Sequence, residues 1–145
     1  MRVMVMVKAS AESEAGVLPD EALIAAMGKF NEDLIKAGVL IDAAGLQSSA
    51  KGARVRFAGD RRIVSDGPFA ETKELVAGYW VWEVKSLADA LDWAKRCPNP
   101  HNGAEAELEI RPMFGPEDFP DSTPEIVAQE KKKFASQQKR PRKRR

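Results

Sequence analysis

A chain of 145 residues, 43% hydrophobic and 31% charged, is long enough for one domain that buries roughly 68–70% of its unfolded surface. It has no apolar run of about 18 residues, so no transmembrane helix is expected, and the opening Met1–Lys8 meets charge too soon for a secretory signal. A lone cysteine, Cys97, excludes an intramolecular disulfide framework and suits a reducing cytoplasm, and a lone histidine, His101, excludes a multi-histidine metal site within one chain.

The formal net charge of +1 conceals a partition. Residues 131–145 carry nine Lys or Arg and no acid, whereas residues 1–130 hold the other 14 with all 22 Asp and Glu, a balance of −8. An acidic domain over 1–115 followed by a basic extension over 116–145 is the expected organisation.

Arg2–Lys8 is apolar at both parities through Val3, Met4, Val5, Met6 and Val7, which predicts a central strand buried on both faces. After a loop with Gly16 and Pro19, Asp20–Ala37 predicts a helix. Leu23, Met27, Phe30 and Leu34 form its stripe, widened by Ile24 and Ile35, and Gly38 stops it. Val39–Leu46 predicts a strand, and Ala53–Phe57 with Arg62–Ser65 predicts a hairpin. Ala77–Lys85 is aromatic and β-branched at both parities and predicts a second central strand. Ser86 caps a helix with Leu87, Leu91 and Ala94 facing inward, ended by Pro98 and Pro100, and Glu105–Arg111 predicts the last strand. Thr123 caps a short helix over Thr123–Ser136, with Pro124 at its first position, and Lys139–Arg145 has the composition of a disordered tail.

The order β-α-β-hairpin-β-α-β is the split βαβ of an α+β, ferredoxin-like fold with an inserted hairpin. Its helices cover one side of the sheet, yet both apolar strands ask for burial on two sides. A second copy packed sheet to sheet answers that demand, so a homodimer is expected.

Between hairpin and aromatic strand lies Asp66-Gly67-Pro68-Phe69-Ala70-Glu71-Thr72-Lys73-Glu74. A turn aspartate usually accepts the N–H two residues on, but here that residue is Pro68. The Asp66 carboxylate must therefore find the Phe69 N–H, a basic side chain, water or a ligand. It is a candidate general base and equally a structural loop cap.

This nine-residue segment resembles the signature of the YCII-related family in its DGPF-type branch, and the resemblance extends over about residues 1–115. It includes Met27–Leu40, Ala44-Gly45-Leu46, Ala77-Gly78-Tyr79, Trp93–Pro98 and Glu109-Ile110-Arg111-Pro112. It implies a ferredoxin-like domain that dimerises into an α/β barrel. Similarity of that family to small lactone isomerases implies an enzyme acting by proton transfer on a small acid or lactone. In a shorter branch a His–Asp pair is the suspected dyad; here Asp66 stands at the aspartate position, and the first helix has no histidine. DGPF-type proteins are often encoded beside sigma-factor genes, which implies a regulatory alternative linked to transcription.

On this reading Asp66 is the catalytic candidate in a cleft between sheet and helices, with Lys73 and Arg111 as substrate-binding cations. Glu71 and Glu74 accompany Lys73, and Arg111 is equally placed to pair with Glu109 or to meet a partner subunit. Trp80 and Trp82 share one face of their strand and read as core. Cys97 and His101 are separated by prolines and make no metal site, and no cofactor is expected. The nine cations of 131–145 offer non-specific contact with nucleic-acid phosphates as the alternative function. No phosphate-binding loop, dinucleotide fingerprint, H-E-x-x-H or G-x-S-x-G occurs.

Overall fold

Alternating burial along β1 (Arg2–Lys8) shows what its two apolar faces do: Val3 and Val5 are fully buried, while Met4 and Met6 are half-buried. The computed structural model describes residues 1–119 and 123–138 of the chain. Helices α1 (Ala11–Glu14) and α2 (Glu21–Lys36) follow β1, then β2 (Leu40–Gly45) and the hairpin of β3 (Ala53–Ala58) and β4 (Arg61–Asp66). Strand β5 (Val76–Glu83), helix α3 (Leu87–Lys95), strand β6 (Leu108–Pro112) and helix α4 (Pro124–Gln138) complete the described elements.

Four strands form an antiparallel sheet in the order β2-β5-β1-β6, with the two expected strands at its centre. The hairpin β3-β4 is a separate two-stranded ribbon. This is an α+β arrangement compatible with a ferredoxin-like fold. Across β1–β5 Val3 stands opposite Trp82 and Val5 opposite Trp80, and this row faces Phe30, Leu34 and Ala90 of α2 and α3. Met4 opposite Val81 and Met6 opposite Tyr79 have the other parity and lie on the far face.

Helix α2 starts where the Asp20 carboxylate accepts the Leu23 N–H at 2.8 Å, and ends before Gly38, whose φ of +71° suits glycine. Leu23, Phe30 and Leu34 are buried as expected, but Ile24 and Ile35 are 58% and 61% exposed. The arc of α2 that meets the sheet is narrower than its apolar arc. Helix α3 also departs from expectation. Leu87 and Leu91 are 42% and 45% exposed, and the row Ala90-Trp93-Ala94-Cys97 faces the core instead.

The first turn after β1 is a helix, α1, which the loop expectation missed. Ser10 and Ser13 close a reciprocal capping box across it. Strand β6 starts at Leu108, three residues later than expected.

The chain divides into two compact units, Met1–Pro112 and a second beginning at Met113. Within the second, Phe114 and Phe119 stack at 5.3 Å, and Thr123 Oγ1 accepts the Ile126 N–H at 3.3 Å to cap α4. Lys139–Arg145, expected to be a disordered tail, lies outside the described residues. Among the described residues no helix is long and apolar enough to cross a membrane.

Phe30 presents its ring edge-on to Trp80 and Trp82 at centroid distances of 5.9 and 6.2 Å. Phe30→Ala is expected to cost about 3–5 kcal/mol in urea unfolding of the domain, whereas Ile35→Ala on the exposed side should stay within about 0.5 kcal/mol.

Candidate functional site

The signature loop acts first on the backbone. Asp66 closes β4 opposite Ala53, and its exposed carboxylate has no hydrogen bond or ion pair among the described residues. Gly67 donates its N–H to Gly52 O at 3.0 Å and passes so near Ser49 that a Cβ would stand 1.7 Å from the Ser49 carbonyl oxygen. Only glycine fits there. The Phe69 N–H, one of the partners open to Asp66, goes instead to Ser49 Oγ at 3.1 Å, and the Arg54 guanidinium lies 3.7 Å over the Phe69 ring. Ser49 Oγ in turn donates to the Glu14 carboxylate, which also accepts the Ser49 N–H at 3.0 Å. The segment is thus clamped, through Ser49, to the end of α1.

A cleft of about 810 Å³ opens between α2 and the sheet. Val7, Leu23, Met27, Leu46 and Trp80 give it apolar walls, α1 and the Val17–Pro19 loop flank it, and His101 and Asn102 enter from the turn before β6. Asp66, Lys73 and Arg111 are not among its lining residues. Asp66 is held at the end of the ribbon, and Lys73 is exposed in the turn Thr72–Glu74. Arg111 stands opposite Met4, on the sheet face turned away from α2 and α3. The structure brings no two of the three together.

Two residues that the sequence did not single out as a pair take their place. Asn31 lies on the buried stripe of α2, one turn beyond Met27, and its Oδ1 accepts the Trp80 indole N–H at 2.8 Å. His101 Nε2 lies 2.8 Å from the Lys8 carbonyl oxygen. The turn that carries His101 is fixed by Asn99, which accepts the His101 N–H and donates to Ala104 O, each at 2.8 Å. Asn102 and Gly103 complete that turn at φ of +53° and +85°. A polar residue inside an apolar stripe was the readable sign for Asn31. His101 had no comparable sign, since its partner carbonyl lies 93 residues away.

Cys97 sits against the core, and burial pushes its thiol up to about 11. A thiol held neutral in this way is a poor nucleophile at neutral pH. Among the described residues no three His, Cys, Asp or Glu side chains are grouped to hold a metal ion.

The family model of the YCII-related domain matches residues 1–114. The chain belongs to the YCII-related family. It is also similar to an uncharacterized protein of Rhizobium meliloti (strain 1021), 34% identical over 94 residues that cover 65% of this chain and 75% of that one. The matched span contains the sheet, α2, the clamped signature loop and the cleft, and ends two residues past β6.

Gly67→Ala is expected to lower the melting temperature of the YCII-related domain by several degrees, because the added methyl meets backbone rather than a movable side chain. Asp66→Asn should change the stability of the domain by less than about 0.5 kcal/mol. A comparable loss in both variants would show that the carboxylate, and not the close approach, holds the loop.

Cys97 also sets a pH dependence. Between the ordinary thiol range near about 8.5 and about 11, the unfolded chain releases a proton that the folded domain retains. The resulting stability is fully present below the lower value and declines as pH rises toward the upper one. Cys97→Ala should flatten that decline in denaturant titrations across the same window.

Proposed function

We propose that this YCII-related domain binds a small, mainly apolar organic molecule in the cleft between α2 and the sheet. The observation that carries the reading is a mainly apolar cleft of about 810 Å³ whose lining includes the polar residues Asn31 and His101. Binding sites for small molecules combine these traits, a concave apolar wall with a few placed polar groups. His101 supplies an imidazole, so proton transfer on a carbonyl compound such as a lactone is the reaction class that suits the site. An acid substrate fits less well, because no lysine or arginine lines the cleft.

We further propose that the domain works as a homodimer joined through the free face of its sheet, giving a dimeric α/β barrel. Met4, Met6, Val81 and Tyr79 share that face, while α2 and α3 pack on the other. Ion pairs at its edges, Arg2 with Glu83 and Lys8 with Glu109, each at 3.5 Å, give the polar rim usual around an apolar interface centre. Met4→Glu places a charge at the middle of that face and is expected to convert the dimer to a folded monomer in sedimentation equilibrium.

Gly28 offers a direct test of the cleft. It lies on the cleft side of α2, and a Cβ there meets nothing within 4 Å. At Gly28→Phe the new Cβ meets no backbone, and phenylalanine suits a helix interior better than glycine by about a few tenths of a kcal/mol. Wild-type protein is expected to bind neutral ring ketones or lactones with a change in tryptophan fluorescence, since Trp80 lines the cleft. Gly28→Phe should abolish that change while melting at or above the wild-type temperature. Unchanged binding in Gly28→Phe would place the ligand elsewhere.

A further inference from the structure

Two of the polar side chains that line the cleft, Asn31 and His101, are each tied at one end by a partner with a single hydrogen-bonding sense. The indole N–H of Trp80 only donates, so the Asn31 atom facing it at 2.8 Å is the carbonyl oxygen. The amide NH2 of Asn31 is left over, and among the described residues it has no partner. The Lys8 carbonyl only accepts, so Nε2 of His101, 2.8 Å away, carries the hydrogen. In the neutral ring Nδ1 is then an acceptor, and it too has no partner among the described residues. Main-chain and indole groups have thus set the sense of both free ends: donor at Asn31, acceptor at His101.

Charge adds a second restriction. The cleft is lined by one carboxylate, Glu12, and by no lysine or arginine. An anionic ligand entering it loses hydration, gains no cation, and meets an acceptor nitrogen and a like charge.

From this, resting on the cleft as the binding site, we infer that the ligand is an uncharged apolar molecule carrying a carbonyl acceptor and a hydroxyl donor. The carbonyl takes the Asn31 NH2, the hydroxyl donates to His101 Nδ1, and the matching carboxylates are rejected. His101 is the residue that sets specificity for the hydroxyl, and Asn31 for the carbonyl.

The probes are acetophenone, the three ring isomers of hydroxyacetophenone and the corresponding hydroxybenzoates, titrated into full-length protein at about pH 8.5 and followed by tryptophan fluorescence and calorimetry. One hydroxyacetophenone isomer is expected to bind about five- to tenfold tighter than acetophenone, as one added neutral hydrogen bond provides, and its hydroxybenzoate to bind more weakly than acetophenone. His101→Phe should erase the hydroxyl advantage, so that no hydroxyacetophenone isomer binds that variant more tightly than acetophenone does. Asn31→Asp retains an acceptor for Trp80 but replaces the amide donor, and should weaken acetophenone by about tenfold while its melting temperature stays near wild type. If acetophenone binds and no hydroxyl isomer gains, or if a hydroxybenzoate binds best, the inference about ligand class fails and the cleft reading stands. If the hydroxyl advantage survives in His101→Phe, the assignment of that residue fails. If neither acetophenone nor any other probe binds, the cleft reading falls with it.

Discussion

Phe30 touches both tryptophans of β5 edge-on, and the three rings set how far α2 stands from the sheet. Each ring carries a large apolar area, and the edge-to-face arrangement adds to what burial alone supplies. Trp82 is fully buried, and among the described residues its indole N–H has no partner. A donor left unpaired in the core costs about 1–3 kcal/mol, so shape outweighs hydrogen bonding at that position. Trp80, two residues earlier, is placed differently. Its indole reaches Asn31 at the boundary where packed core gives way to cleft. The same aromatic contact therefore seals the centre of the domain and fixes one wall of the site.

What the sequence revealed of the fold follows from how directly periodicity maps onto contact. The two strands without a polar parity are the central pair of the sheet, the place where an apolar run at both parities is expected. Ile24, Ile35, Leu87 and Leu91 were misplaced for the converse reason: an apolar stripe states which residues tolerate burial, while the width of the real contact depends on the neighbouring element. In α3 that contact falls to Ala90, Trp93, Ala94 and Cys97, and the two alanines among them leave little trace in a hydrophobic pattern. The four-residue α1 is too short to show a period, and only its capping serines mark it.

The site was less legible. DGPFAETKE drew attention as chemistry, and its most constrained feature is the approach of Gly67 to the Ser49 carbonyl, a contact between segments 18 residues apart that no local pattern encodes. Ser49 then relays the constraint to Glu14, whose helix α1 flanks the cleft through Ser10, Glu12 and Ser13. A distinctive motif can be distinctive because a backbone has to pass through a narrow place. Asp66, the residue in it with the richest chemistry, has an exposed carboxylate with no hydrogen bond or ion pair among the described residues.

The cleft itself is best understood through desolvation. Asn31 occupies a stripe position where leucine or methionine would pack, and half of its amide is satisfied by Trp80. The other half must face either water or a ligand, since leaving an amide N–H dry costs more than a neutral hydrogen bond returns. The free imidazole nitrogen of His101 is under the same requirement. A purely apolar molecule filling the cleft would strip water from both groups and lose part of what its burial contributes. A ligand that returns one acceptor and one donor keeps the full gain. On the proposed reading, that balance gives Asn31 and His101, tied down by an indole and a backbone carbonyl, a deciding part in what the cleft accepts.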